Sequence, residues 1–235
     1  MPAAQFELGR FASGGAVSAR NQLRIGILFD PASKARGVGP DVVEALLTTW
    51  LKTPIALGHR EDGSPFVIGV EGWHLSLSHA AGCTAIALDD GPVGIDICEI
   101  SSNRADHKVA AKLFSGSERK WLFDLPRDAQ AEGFAQLWTL KEALLKRDRQ
   151  GLDRHDLPDA GEIVAPWLGP PGALAPEWRP WIALVQSGSG RAPAPGLLLA
   201  MPGAQMIPER DARISCVIIE APAGLLALSL AWTTM

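Results

Sequence analysis

The Asp90–Gly91 pair lies between two apolar alternating runs, "TAIALDD" (84–90) and "PVGIDICEI" (92–100), and constrains the fold more than any other feature. Asp-Gly reaches positive φ with little strain, so the two runs are expected to pair as an antiparallel hairpin. A third alternating run, "HLSLSHA" (74–80), precedes them and extends the expected sheet. After Ile100 the period changes. "SSNRADHKVAAKLF" (101–114) opens with Ser and Asn caps, and "SGSE" (115–118) has capping-box spacing, so both predict helices. "AEGFAQLWTLKEALLKR" (131–147) is the clearest helix, with Phe134, Leu137, Trp138, Leu144 and Leu145 at helical spacing.

Elsewhere, "DVVEALLTTWLK" (41–52) predicts a helix and "GHREDGSP" (58–65) a loop. The first forty residues are weakly periodic. Beyond Gly151, "WIALVQ", "GLLLAMP", "ISCVIIEA" and "GLLALSLAW" read as strands, and the Pro-rich stretch 165–180 as a loop or insertion. Strands and helices mixed without β-α-β alternation predict an α+β fold.

The 235 residues suffice for a sizeable core, and 47% hydrophobic with 20% charged content is that of a globular protein. The formal net charge of −4 argues against a nucleic-acid binder. No apolar run reaches the ~18–20 residues of a membrane helix. The start lacks the pattern of a secretory signal, and Cys83, Cys98 and Cys216 form neither zinc spacing nor an even disulfide set. The expectation is a cytoplasmic protein with no membrane partner.

Asp96 is out of keeping with its strand. Alternation places it with Gly94 and Cys98, while Val93, Ile95 and Ile97 face the other way. Taken alone, it reads as an exposed edge-strand carboxylate. On the long helix, Trp138, Glu142 and Lys146 recur at i, i+4 and i+8, with Lys141 one position round. Here the plain reading is a surface Glu142–Lys146 ion pair. The functional one is a strand carboxylate and a helix carboxylate clamping a magnesium ion, with lysines holding phosphate oxygens. His79, at a strand end, is more often structural than functional.

Taken together, "GSP" (63–65), "LSLSHA" (75–80), "VGIDICE" (93–99), "FSGSE" (114–118), "WTLKEALLK" (138–146) and "GL" (151–152) occur in an order and spacing that resembles the 4′-phosphopantetheinyl transferases. The larger, Sfp-type branch is the most similar. The resemblance implies a monomer of two similar α+β halves, each a small antiparallel sheet packed with a long helix. Here these fall as 1–100, with the SHA and GID strands, and 101–235, with the WTLKEALLK helix and a strand-rich tail. It implies transfer of the phosphopantetheine arm of coenzyme A to a serine of an apo acyl or peptidyl carrier protein, with release of 3′,5′-ADP. It also implies Asp96 and Glu142 as magnesium ligands, Lys141 and Lys146 at the phosphates, and His79 at the 3′-phosphate with Ser78 beside it. Glu142 or a metal-bound water would take the serine proton.

This chain departs from that pattern at three positions. Cys98 stands where a second strand acid is common, and a soft thiol does not replace a carboxylate on magnesium. Ser64 stands where many relatives carry a base that meets coenzyme A; Arg60, Lys34 or Arg36 are the candidates to replace it. Arg149 stands where glycine is common. The first two departures motivate an alternative, a catalytically weakened relative that binds coenzyme A or a carrier protein. The same carboxylate pair also suits a generic metal-dependent phosphotransferase. Arg104, Lys108 and Lys112 are basic spots suited to an acidic carrier, or an ordinary solvated helix face.

Overall fold

The computed structural model describes residues 5–7, 24–29, 37–100, 104–149, 205–207, 212–221 and 224–233. In chain order these form β1 (Gln5–Glu7), β2 (Arg24–Phe29), α1 (Pro40–Leu51), β3 (Ala56–His59), β4 (Pro65–Ile68), β5 (His74–Ala80), β6 (Cys83–Asp89) and β7 (Val93–Glu99). There follow α2 (Arg104–Leu113), α3 (Gly116–Asp124), α4 (Gln130–Arg147), β8 (Gln205–Ile207), β9 (Ala212–Ala221) and β10 (Gly224–Thr233). The described residues build an α+β fold with small antiparallel sheets. "WIALVQ", "GLLLAMP", the Pro-rich stretch, Gly151–Leu152, Lys34 and Arg36 lie outside the described residues.

The local signals placed the helices well. Pro40 opens α1 at its first turn, where a missing N–H costs nothing. The Ser115 hydroxyl accepts from Glu118 N–H at 3.2 Å while Glu118 Oε2 takes the Ser115 N–H at 2.7 Å, closing the capping box of α3. Lys146 and Arg147 end α4, where cations complement the helix dipole. The loop expected at 58–65 is shorter than its composition suggested. Its ends are strands β3 and β4, paired with each other, and only residues 60–64 turn. β2, within the weakly periodic start, had no separate sequence signal.

The expected hairpin of 84–90 with 92–100 does not form. β6 pairs instead with β5 and β2, in a sheet ordered β1-β2-β6-β5. Both edges of β6 are therefore taken, and β7 leaves to pair with β10 in a second sheet ordered β7-β10-β9-β8. The true hairpin turn is Ala81–Gly82, with φ of 48° and 77°. Positive φ at both central residues gives a two-residue turn whose twist matches the strands.

β5 and β7 meet at the seam without a backbone ladder. The Ser76 hydroxyl accepts the Ile95 N–H at 3.0 Å and the Ser78 hydroxyl accepts the Ile97 N–H at 3.3 Å. Alternation puts both serines on one face of β5, so one strand can satisfy two buried N–H donors of another sheet.

Each sheet carries a helix. α1 buries Val43, Leu46, Leu47 and Trp50 in a core with Leu28, Leu75, Ile86 and Leu88. α4 packs on β7 and β10 on one side, and with α2 and α3 on the other, around Phe114, Leu122, Leu137 and Leu144. Thr139 Oγ1 and Ser229 Oγ meet at 2.7 Å between α4 and β10. Gly94 sets how closely α4 approaches β7. A β-carbon there would overlap the Ala143 carbonyl oxygen and lie 2.5 Å from Arg147 N. Those are backbone atoms, so the helix itself would have to move. Gly94→Ala is expected to lower the unfolding free energy by ~3 kcal/mol or more, read as a lower urea midpoint. Gly116→Ala, with open space around its added carbon, is the control expected to cause no loss.

Candidate functional site

The close approach at Gly94 brings α4 over the Asp96 face of β7. Asp96 is thus no exposed edge carboxylate; it is 6% exposed. Its Oδ1 accepts the Ser78 hydroxyl at 2.7 Å and the Lys146 ammonium at 2.6 Å. Burial raises its pKa, while Lys146 and then Ser78 work in the opposite direction. The expected Glu142–Lys146 surface pair is replaced by this strand-to-helix pair, because the stripe faces the sheet rather than water.

Glu142 lies beside that pair. It is 8% exposed, and its Oε1 has no hydrogen-bond partner. Burial first, and the Asp96 charge second, push its pKa to about 7 against the pull of Lys146. A second buried carboxyl thus lies in the field of the Asp96–Lys146 pair, and one of its oxygens is unsatisfied. A hard cation taken by oxygen donors fits this arrangement, since it would satisfy the orphaned oxygen and relieve the repulsion. Among the described residues no group of three or more His, Cys, Asp or Glu side chains converges. The Cys98 thiol donates to the Glu99 carbonyl at 3.2 Å.

A cavity of about 340 Å³ adjoins these groups. Its walls come from the 62–65 turn, from β5, and from the end of α4, where Glu142, Lys146 and Arg149 line it. The "GSP", "LSLSHA" and "KEALLK" pieces therefore surround one space. Ser64 Oγ is buried there without a hydrogen bond. The Asp62 carboxylate, which takes the Ser64 N–H at 2.8 Å, is near enough to feel the hydroxyl but does not bond it. Arg149 has φ of 53°. That left-handed backbone costs a residue with a β-carbon ~1–2 kcal/mol. Its Nη2 lies 3.2 Å from His74 Nδ1.

The other expected site residues sit elsewhere. Lys141 does not line the cavity: it is 1% exposed and paired with the fully buried Glu118 at 2.6 Å, above the Phe114 ring. One residue along a helix is a turn of about 100°, which sends Lys141 to the α2–α3 side while Glu142 faces the sheet. The Ser78 hydroxyl is engaged by Asp96 and Ile97 N–H. His79 points to the other face of β5, with Nδ1 2.9 Å from Thr84 Oγ1; burial and then Lys146 lower its pKa. Arg60 lies over the Phe66 ring at 5.0 Å, outside the cavity lining. Sequence reading missed Ser76, Thr84, Glu118 and His74. Ser76 had a signal, its i−2 relation to Ser78, and Glu118 had its capping-box spacing from Ser115; Thr84 and His74 acquire partners only through tertiary packing.

Residues 92–189 match the family model of the 4′-phosphopantetheinyl transferase superfamily, a range that holds Asp96, Glu142, Lys146 and Arg149. The chain is 37% identical over 91 residues to 4′-phosphopantetheinyl transferase psf-1 of Bacillus pumilus, covering 39% of this chain and 38% of that protein. It is 36% identical over 94 residues to 4′-phosphopantetheinyl transferase gsp of Aneurinibacillus migulanus, covering 40% and 38%. It is 30% identical over 101 residues to 4′-phosphopantetheinyl transferase Sfp of Bacillus subtilis, covering 43% and 44%. The chain thus spans about two fifths of the length of the curated relatives it matches. The resemblance to the Sfp-type branch holds on these matches. Among the described residues no helix is long and apolar enough to cross a membrane.

The two buried charge sites give opposite tests. The folded-state pKa of Glu142, about 7, exceeds its ordinary 4.5, so the folded protein binds the extra proton between those values. This group's contribution to stability is present below about 4.5 and is lost as pH rises through about 7. Relative to wild type, Glu142→Gln is expected to gain ~3 kcal/mol between pH 4 and pH 8, measured by urea unfolding in EDTA. A gap that stays constant with pH would contradict the raised carboxyl. Glu118→Ala is expected to cost ~3–5 kcal/mol, because it takes a buried carboxylate away from the buried Lys141 ammonium. The Glu118→Ala, Lys141→Met double variant should recover most of that loss in the same urea assay.

Proposed function

We propose, from the premise that residues 92–189 are a 4′-phosphopantetheinyl transferase superfamily segment, that this protein moves the phosphopantetheine arm of coenzyme A onto a serine of an apo acyl or peptidyl carrier protein, releasing 3′,5′-ADP. One observation carries the reading: the orphaned Glu142 Oε1 beside the Asp96–Lys146 pair, at the edge of the cavity.

Asp96 and Glu142 would hold a magnesium ion, which when bound supplies positive charge to the phosphate oxygens. Ser78 and Lys146 fix the orientation of Asp96. The Lys146 ammonium, which also lines the cavity, faces the diphosphate and offsets the negative charge that builds up on the leaving oxygen. Glu142, whose side chain lines the cavity, or a water held beside it would take the proton of the attacking serine hydroxyl. The serine oxygen bonds to phosphorus, the bond from phosphorus to the 3′,5′-ADP oxygen breaks, and that product carries away the charge. Lys141 has no part in this scheme: its role is the buried pair with Glu118. His79, exposed beside Thr84, is a candidate contact for a nucleotide phosphate.

The two sheets, each with its long helix, are read as the two similar halves of a monomer. The halves are read as residues 1–100 and 101–235, with β7 of the first reaching over to pair with β10 of the second.

Purified protein incubated with coenzyme A, magnesium and several apo carrier proteins is expected to add one phosphopantetheine mass to a carrier, and EDTA should stop it. Asp96→Ala and Glu142→Ala are each expected to lower kcat/KM on the order of 100-fold or more while the protein stays folded. Lys146→Ala should raise the KM for coenzyme A. Coenzyme A binding without mass gain on any carrier would instead favour the binding-module reading.

A further inference from the structure

Thr84 is 0% exposed and sits near the start of β6, directly across from His79 on β5. Its hydroxyl has two neighbours at 2.9 Å. One is the Val38 N–H, from the segment that leads into α1, and the other is His79 Nδ1. A hydroxyl carries one proton and two lone pairs. The Val38 N–H can only donate, so it occupies a lone pair. The enclosed hydroxyl proton has no water to bond, and among the described residues Nδ1 is the acceptor within reach. An Nδ1–H ring would leave that proton buried without a partner, at the full desolvation cost of an unmade bond. Thr84 therefore donates to Nδ1. The ring proton sits on Nε2, on the side of the exposed ring away from Thr84.

The same geometry opposes a positive charge on the ring. An imidazolium donates from both nitrogens, so protonating Nδ1 would break the bond from Thr84. Burial first, and the Lys146 ammonium of α4 second, work in the same direction. The joint is close-packed. Gly37, at φ of 64°, lies so near that a β-carbon would overlap Thr84 Oγ1 and stand 2.9 Å from the Cys83 carbonyl oxygen. The segment before α1, the start of β6 and the end of β5 are fastened at one oxygen, and β-branched threonine has few χ1 choices by which to turn that oxygen away.

We propose that Thr84 is a positioning residue: it holds His79 as the neutral Nε2–H tautomer, so that this histidine meets a ligand as a fixed single-proton donor and not as a cation. The ligand part of this statement rests on the function proposed above, and the tautomer part does not. Thr84 itself lies outside the cavity lining. A histidine left free would gain charge as pH falls through its ordinary 6.5 and bind anions more tightly there. One held neutral keeps its contribution to anion affinity level across that range.

NMR of protein carrying isotope-labelled histidine tests this on wild type, Thr84→Val and Thr84→Ser, with His79→Gln to assign the signal. Valine keeps the shape of threonine without the hydroxyl, and serine keeps the hydroxyl. Wild type is expected to show His79 protonated at Nε2 alone and still mostly neutral at pH 6.5. Thr84→Val should mix the two tautomers and move the ring's titration upward, and Thr84→Ser should return both to the wild-type state. Coenzyme A affinity is then measured by calorimetry at pH 6 and pH 8. The ratio of Thr84→Val to wild-type affinity should rise ~3-fold or more as pH falls, because a charged donor binds an anion more strongly than a neutral one. The ratio cancels the titration of the ligand and of Glu142, which both proteins share. A wild-type ring protonated at Nδ1, or a tautomer and titration unchanged in Thr84→Val, overturns the positioning role. Should Thr84→Val fail to fold, the wild-type tautomer alone still decides. A ratio that stays constant with pH while coenzyme A binds overturns the ligand part. If the tautomer result holds and coenzyme A does not bind, the positioning role stands and the coenzyme A reading fails.

Discussion

The contact between Gly94 and the backbone of α4 governs the rest of the structure. With no β-carbon on β7 at that point, the Ala143–Arg147 turn of the helix lies directly on the strand. Residues 94 and 96 share a face, so the same approach covers Asp96 with the helix stripe that carries Glu142 and Lys146. The desolvation of Asp96, its bond to Lys146 and the raised pKa of Glu142 all follow from this one separation. A wider gap would admit water and return the carboxylates to ordinary surface behaviour.

The site stores electrostatic conflict, and the proposed binding of a cation and an anionic ligand rests on it. A second buried carboxyl lies in the field of the Asp96–Lys146 pair, and Glu142 keeps an unsatisfied oxygen. A structural ion pair in the same helix shows the contrast. Lys141 and Glu118 are oppositely charged and both buried in direct contact, with Glu118 also tied into its own capping box. Such a pair fixes α3 on α4. The Asp96–Glu142–Lys146 group instead leaves a Glu142 oxygen unsatisfied and adjoins a cavity that Arg149 also lines.

The seam between the two sheets is polar for a reason that bears on the site. β5 offers serine hydroxyls where a backbone ladder is missing, and one of them, Ser78, serves Ile97 N–H and Asp96 together. Joining the sheets and aiming the carboxylate are thus one arrangement. The strand "LSLSHA", where the family resemblance implied a phosphate contact at His79 and Ser78, uses its serines on this seam, while His79 lies on its other face against Thr84 of β6.

Much of the fold was legible because its signals are local. Helical spacing located α1 and α4, the Ser and Asn caps α2, the Ser115–Glu118 box α3, and two-residue alternation β5, β6 and β7, since each depends only on near neighbours along the chain. The α+β class and the Asp96–Glu142–Lys146 grouping followed from those elements together with the motif order. Sequence pattern could not assign partners. Asp90–Gly91 looked like a hairpin turn, but β6 had two other strands to pair with, and an open edge is decided by every strand in the sheet. Lys141 and Lys146 look alike on paper, and only the packing of α4 between a sheet and two helices sends one to Glu118 and the other to Asp96. Burial, which turns these charges into chemistry, is a property of the assembled layers and exists in no single segment.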